Sequence, residues 1–194
     1  MENTAYDYIP LGRELIGGEW VGEVDYEIIG GEKVYMAPAP NISHGIIVVR
    51  ICSAFVDYIE KNNLDAFALA DNADVYLADG SHFRPDVSVI IRKPSAINKE
   101  KHIEGAPDLV VEVLSESTKK NDVGKKKDDY EKYGVKEYWI VDPENRSVRV
   151  YHNVEGKFTA SDEYKINSDK TEIKVSIFED LVVDIRNIFK WWLN

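Results

Sequence analysis

The sequence of 194 residues contains a single cysteine, Cys52. It can therefore form no internal disulfide, and a metal centre built from several thiolates is excluded as well. Its opening, MENTAYDYIP, has neither the basic nor the apolar region of a secretory signal, and no unbroken apolar run approaches the roughly 20 residues that span a bilayer. We therefore expect a cytoplasmic protein with no membrane segment.

Basic residues are also scarce, with 24 Lys and Arg against 35 Asp and Glu and a formal net charge of −11. Such a surface disfavours non-specific binding of nucleic acid, because basic side chains displace counterions from the phosphate backbone. Residues 84–127 are the exception, since ten basic and seven acidic residues give them a net charge of +3 and leave −14 for the remainder. This basic segment is either an ordinary solvated surface or a contact for a polyanion.

The length and the 44% content of hydrophobic residues predict a single domain over residues 1–194, with the first twenty or so residues peripheral. Segment 25–36 predicts a hairpin around Gly30-Gly31, and apolar residues at helical spacing after Ser43 predict a first long helix capped by that serine. Alternating or apolar runs predict strands at 65–70, 74–78, 86–91, 107–114 and 137–142, then an antiparallel edge from 147–153 and the segments near 158 and 173. A terminal helix is expected within 181–194. This order predicts an α/β fold in which helices flank a mixed sheet.

The run PDLVVEVL, residues 107–114, has the composition of a buried strand but carries Glu112 in its middle. An ionised carboxylate in such a place needs a cation, an ion-pair partner or a raised pKa. Because side chains alternate along a strand, Glu112 shares a face with Asp108 and faces away from Val111 and Val113.

Two Pro-Asp pairs offer a second carboxylate for Glu112. Asp108 lies four residues away on the same strand, roughly 13 Å at ~3.3 Å per residue, whereas Asp86 opens another strand that can lie about 5 Å away. We therefore expect Asp86 and Glu112 to converge. A hard divalent cation, Mg²⁺ or Mn²⁺, would relieve their repulsion. The alternative is that Asp86 caps a turn and Glu112 forms a structural ion pair with a lysine.

Residues 121–134, NDVGKKKDDYEKYG, predict a helix of about three turns with Asp122 as N-cap and Gly134 just past the C-terminus. On a helical wheel the stripe that holds the apolar side chains also holds Lys126, while Lys125 falls on the opposite side. Lys126 is thus aimed at the sheet that carries Glu112. Its ammonium could orient a water, help to deprotonate it or stabilise charge on a phosphate; a plain salt bridge to Glu112 and a solvated Lys126 are the alternatives.

An aspartate, then a glutamate within a strand, then a lysine resembles the signature of the PD-(D/E)xK nuclease superfamily, which has the restriction endonuclease-like fold. The ordered set RPDVSVI, PDLVVEVLSEST, D-x3-K-x3-Y (Asp122, Lys126 and Tyr130) and GVKEYWIVDP is similar to a bacterial family of putative restriction endonucleases, and the likeness covers nearly the whole chain. One position departs from the superfamily pattern, because Leu114 stands two residues after Glu112, where the lysine normally lies. The likeness to the family assigns the role of that lysine to Lys126.

The resemblance implies a metal-dependent DNA endonuclease of the restriction endonuclease-like fold. Asp86, Glu112 and the backbone carbonyl of Val113 would hold Mg²⁺ or Mn²⁺, and Lys126 would assist phosphodiester hydrolysis. The basic loop 92–101 would touch the DNA backbone. A homodimer is also implied, since cutting both strands of a duplex takes two sites.

Three residues are candidates for accessory roles: His44 beside the metal or the DNA backbone, Glu27 as a further acidic ligand from the hairpin, and Asp122. Two other functions compete with the nuclease. The acidic surface also suits a non-catalytic binding or regulatory protein that keeps the nuclease fold, and it suits an enzyme that hydrolyses a small phosphate ester.

Overall fold

The fold is that of a computed structural model, which describes residues 13–16, 19–22, 26–35, 42–70, 73–91, 97–98, 102–115 and 119–190. Most of the basic loop 92–101 lies outside the described residues, as does most of the N-terminal segment that the sequence predicts to be peripheral.

The described elements are sixteen strands and four helices. The strands are β1 (Arg13–Ile16), β2 (Glu19–Gly22), β3 (Tyr26–Ile29), β4 (Glu32–Tyr35), β5 (Ala66–Ala70), β6 (Asp74–Tyr76), β7 (His82–Phe83), β8 (Val87–Ile91), β9 (Ile97–Asn98), β10 (His102–Glu104), β11 (Leu109–Val113), β12 (Glu137–Asp142), β13 (Ser147–Val154), β14 (Lys157–Lys165), β15 (Glu172–Lys174) and β16 (Val182–Asp184). The helices are α1 (Ile42–Lys61), α2 (Lys119–Val123), α3 (Lys125–Lys132) and α4 (Ile185–Ile188).

A mixed six-stranded sheet with the order β14-β13-β12-β11-β8-β5 forms the centre of the domain. Only its β11 and β12 run parallel, and the other neighbours pair antiparallel. The parallel pair is rich in Val and aromatic residues and is buried, as expected for strands covered on both faces. The prediction of an α/β domain with a mixed sheet is confirmed.

Helix α1 covers one face of this sheet. Its side chains Ile47, Ile51 and Phe55 are fully buried, and the Phe55 ring lies 5.6 Å from the ring of Trp139 on β12. Each such burial contributes roughly 1.5–3 kcal/mol. By length and composition alone α1 could also cross a bilayer, but its apolar stripe packs into the core between helix and sheet. The helix already includes Ile42, so Ser43 lies in its first turn and is not the predicted cap.

A second sheet of short strands, with the order β4-β3-β7-β6-β10-β9, lies on the other face of the central sheet. The two sheets and α3 share a second apolar cluster, to which β3 contributes Ile29, β7 Phe83 and α3 Tyr130. The predicted hairpin is present as β3 and β4. Its turn places Gly30 and Gly31 at φ of +58° and +80°, a backbone conformation that favours glycine.

The helix predicted over 121–134 is two helices. Gly124, with φ of −109° and ψ of −107°, separates α2 from α3 and is the N-cap of α3. Asp122 therefore lies inside α2, and the prediction that it caps the helix is wrong. The predicted C-terminus of the helix is confirmed, since Gly134 follows α3 at φ of +83°. The predicted orientation is confirmed as well, because Lys126 is buried and Lys125 is exposed.

The C-terminal segments differ from the prediction in two ways. Strands β13 and β14 extend the central sheet as expected, but β15 pairs with β16 in a separate two-stranded sheet. Where the sequence predicts one terminal helix, the structure has strand β16 followed by the short helix α4, within the residues described up to Lys190. The β-branched pair Val182-Val183 explains the difference, since such side chains favour strands.

Candidate active site

Strand β11 carries one acidic side chain between apolar ones. Val111 and Val113 pack into the cluster under α1, whereas Val110 and Leu114 pack into the cluster under the second sheet. Glu112 lies on the second side and is only 3% exposed. The alternation predicted for this strand is therefore present, and a carboxylate is buried beneath the second sheet.

Asp86 precedes β8, which runs antiparallel to β11 with Val87 opposite Val111. Continuing that register sets Asp86 opposite Glu112, and directly opposed residues share a face of the sheet. The Val113 amide donates a hydrogen bond to Asp86 Oδ2 at 2.6 Å. The structure thus brings Asp86, Glu112 and the Val113 backbone together at one end of neighbouring strands.

Asp108, the aspartate of the second Pro-Asp pair, lies at the opposite end of β11 from Glu112. The Asp108 carboxylate accepts a hydrogen bond from the Ile91 amide at 2.7 Å and lies 2.8 Å from the Lys136 ammonium. These contacts join the beginning of β11 to the end of β8 and to the start of β12. Asp108 therefore fixes strand ends far from Glu112, as the distance along the strand indicates.

The ammonium of Lys126 is surrounded by carboxylates. Its Nζ lies 2.8 Å from Glu27 Oε1, 3.1 Å from Glu112 Oε1 and 3.3 Å from Asp122 Oδ1. All four residues are buried, with 1% to 6% exposure. The contact with Glu112 is a hydrogen bond, and the contact with Asp122 is an ion pair. The lysine side chain is directed inward, and it is held on three sides.

Tyr130, which enters the sequence reasoning only as part of the D-x3-K-x3-Y motif, is a further member of the site. Its hydroxyl donates to Glu112 Oε1 at 3.0 Å, the same oxygen that Lys126 contacts. The sequence feature that could have identified Tyr130 is its position four residues after Lys126, on the same stripe of the helix. The neighbouring Tyr138 hydroxyl donates to the Asp122 carbonyl at 2.9 Å, which anchors α2 to the central sheet.

These surroundings shift the proton affinities of both charged partners. Burial raises the pKa of Glu112 well above its usual range, the Lys126 ammonium opposes this, and Asp122, Asp86 and Glu27 raise it further. Burial alone lowers the pKa of Lys126, but the carboxylates of Glu112, Glu27 and Asp122 outweigh it and raise that pKa well above normal. Lys126 is therefore an ammonium at neutral pH.

His44, in the first turn of α1, reaches the same end of β11. Its Nε2 lies 3.1 Å from the Val113 carbonyl oxygen and 3.3 Å from Asp86 Oδ2. A carbonyl oxygen can only accept, so the contact as a hydrogen bond requires a proton on Nε2. The structure thus places His44 directly against two of the groups, Asp86 and the Val113 carbonyl, to which the family resemblance assigns a metal ion.

The donor atoms at this place fit a small divalent cation. Among the residues with described positions, no group of three or more His, Cys, Asp and Glu side chains forms a metal centre. Mg²⁺, however, commonly uses one or two carboxylates together with waters, and its ligands at about 2.0–2.1 Å stand about 3 Å apart when adjacent. The Val113 carbonyl oxygen and Asp86 Oδ2 lie 3.1 and 3.3 Å from one atom, His44 Nε2, so both oxygens reach the same place. Both hydrogen bonds described for Glu112 are accepted by Oε1.

The chain resembles known proteins in sequence and in fold. The model of the Uma2 family, described as "Putative restriction endonuclease", matches residues 20–186. Among solved structures, a putative nuclease belonging to DUF820 from Anabaena variabilis ATCC 29413 has a TM-score of 0.70 and 23% sequence identity, with 87% of this chain and 91% of that chain covered. No curated protein matches. The fold is therefore restriction endonuclease-like.

Proposed function

The chain belongs to the Uma2 family of putative restriction endonucleases, and we propose that it is a metal-dependent DNA endonuclease. One observation carries the proposal: Asp86 contacts the peptide that follows Glu112, and Glu112 in turn contacts the Lys126 ammonium. Two carboxylates at adjoining strand ends with an inward lysine form a set suited to phosphodiester hydrolysis.

Asp86, Glu112 and the Val113 carbonyl would hold Mg²⁺ or Mn²⁺, with His44 as an accessory ligand or as a donor that positions the Asp86 carboxylate. When bound, the ion would supply a nucleophilic water and Lewis-acid charge for attack on phosphorus. Glu112, Val113 and His44 are buried, which strengthens the charge interactions at this place.

Lys126 acts as a charged donor in this proposal. Because the surrounding carboxylates keep it protonated, it cannot accept a proton from the attacking water. It can donate to that water or to the developing charge on the phosphoryl oxygens. The structure therefore favours two of the roles that the sequence left open for Lys126 and disfavours deprotonation of water.

DNA is the proposed substrate because of the family to which the chain belongs. The basic segment around residues 92–101 would contact the backbone, and cleavage of both strands would need a homodimer. A cytoplasmic location remains part of the proposal, since the single cysteine fits a reducing compartment.

Cleavage of supercoiled plasmid in the presence of Mg²⁺ or Mn²⁺ tests the proposal. We expect the wild-type protein to nick or linearise the plasmid and EDTA to stop it. Glu112→Gln and Lys126→Ala should each abolish cutting. Lys125→Ala should cut normally, because that neighbouring lysine is 57% exposed and pairs with Glu32 on the surface.

The other outcomes separate the competing functions. Cutting that survives both Glu112→Gln and Lys126→Ala would rule out the proposed mechanism. DNA binding without cutting would favour a regulatory protein that keeps the nuclease fold. The net charge of −11 favours small substrates over a polyanion, so turnover of a small phosphodiester alone would identify a small phosphoester hydrolase.

A further inference from the structure

Glu27 has a position that its assignment as a further acidic ligand does not explain. It lies on β3 in the N-terminal hairpin, outside the central sheet, and is 6% exposed. The next residue on the same face of β3, Ile29, is fully buried in the apolar cluster between the sheets. A carboxylate held in such surroundings is destabilising unless its partners compensate for the lost hydration. Its partners therefore indicate its role.

A single oxygen of Glu27 makes two contacts. Oε1 accepts a hydrogen bond from the Arg84 amide at 2.8 Å and lies 2.8 Å from Lys126 Nζ. Arg84 is two residues before Asp86 in the chain. One atom of the hairpin thus joins the segment that delivers Asp86 to the helix that delivers Lys126.

The contact with Glu27 is the shortest of the three that hold the Lys126 ammonium, at 2.8 Å against 3.1 Å to Glu112 and 3.3 Å to Asp122. Asp122 lies on the preceding helix α2, four residues before the lysine, so its contact is local in the chain. Glu27 comes from a distant part of the chain and can fix the lysine relative to the sheet. Both contacts described for Glu27 use Oε1, and neither is with Asp86, Glu112 or Val113, the residues proposed to hold the ion.

We propose that Glu27 is a positioning residue that sets the Lys126 ammonium and the approach of Asp86, and that it does not bind the metal ion. This inference rests on the proposed nuclease function. It gives the hairpin β3–β4 a function as well, because the hairpin supplies the atom that ties two of the catalytic side chains together.

Glu27→Gln tests the proposal, with Glu32→Gln as the matched control. Glutamine keeps the size of the side chain and an oxygen acceptor for the Arg84 amide, but it removes the charge that faces Lys126. Glu32 lies on the same hairpin and pairs with Lys125, the neighbour of Lys126, at 3.2 Å, with both side chains exposed. The two variants therefore differ mainly in which lysine loses its partner.

The first measurement does not depend on activity. The Lys126 ammonium, observed by ¹H–¹⁵N correlation NMR, should exchange its protons with water at least about tenfold faster in Glu27→Gln and unchanged in Glu32→Gln, because a hydrogen bond to an ionised partner is lost. Unchanged exchange in Glu27→Gln would overturn the proposal. A wild-type ammonium that exchanges as fast as those of exposed lysines would overturn it as well.

Metal titration and kinetics complete the test. Mg²⁺ or Mn²⁺ affinity by calorimetry should stay within about twofold in Glu27→Gln, while kcat falls about 10- to 100-fold and KM changes little, as for groups that orient a metal site from outside. A tenfold loss of metal affinity would make Glu27 a ligand and refute the proposal, and so would an unchanged kcat. If the wild-type protein cuts no DNA, the nuclease proposal fails, and the NMR measurement still decides whether Glu27 positions Lys126.

Discussion

The two faces of strand β11 differ in chemistry although they belong to the same five residues. Towards α1 the strand presents Leu109, Val111 and Val113, all within a purely apolar cluster. Towards the second sheet it presents Val110 and also Glu112, whose neighbours are an ammonium, a hydroxyl and further carboxylates. Both faces are equally buried.

This difference separates stability from function. Burying apolar side chains stabilises the fold in proportion to the area removed from water. Burying charges does so only when every partner is present, and an apolar replacement is often as stable or more so. The α1 side is what such a domain needs in order to fold. The charged side is a candidate for function because stability alone does not require it.

The largest effect should come from removing the ammonium on the charged side. Lys126→Met leaves Glu27, Glu112 and Asp122 without their shared cation, and we expect a loss of about 3–5 kcal/mol in the free energy of unfolding. Urea denaturation would measure it. Lys125→Met, on the exposed side of the same helix, should leave the midpoint unchanged. An equal loss in both variants would show that the buried contacts of Lys126 stabilise the fold no more than the exposed contact of Lys125 does.

A change on the apolar side should affect stability alone. Val111→Ala removes two methyl groups and leaves a cavity, which we expect to cost about 2–3 kcal/mol. Metal affinity and cleavage per folded molecule should stay as in the wild type, since Val111 points away from Glu112. A loss of metal affinity in this variant would mean that the two faces are coupled.

The smallest effect on stability should accompany the complete loss of function. Glu112→Gln keeps the size and an acceptor for Lys126 and Tyr130, so we expect a change within about 1 kcal/mol at neutral pH. The pKa of the wild-type carboxyl is raised well above the ordinary 4.5. Its contribution to stability is therefore full below the ordinary pKa and is lost as the pH rises through the raised pKa.

The upward direction of the Glu112 pKa shift determines how the stability of Glu112→Gln changes with pH relative to the wild type. Glu112→Gln should gain stability relative to the wild type as the pH is raised from 4 towards neutrality, and calorimetric melting at several pH values would measure the gain. The same variant should bind no divalent ion. A gain towards acid pH would contradict the direction of the shift.

Much of the candidate site was predictable from local pattern. Alternation along residues 107–114 placed Glu112 opposite to the valines, the rise per residue favoured Asp86 over Asp108, and the helical wheel turned Lys126 inward. Each of these follows from a period fixed by backbone geometry. Gly124 was not recognised as a break, because a glycine within a helical pattern is often tolerated. Because the helix breaks at Gly124, Asp122 lies inside α2 and contacts Lys126; it does not cap the helix.

The sequence by itself determined the secondary structure around the site, the pairing of Asp86 with Glu112 and the direction of Lys126, because these depend on spacing along one or two strands and one helix. Only the tertiary structure decided that Glu27, His44 and Tyr130 converge there. The hairpin, the first helix and α3 are brought to the end of β11 by the packing of two sheets and a helix around shared apolar clusters. No periodicity within a segment encodes contacts of that kind, since they arise from burial of surfaces that belong to distant parts of the chain.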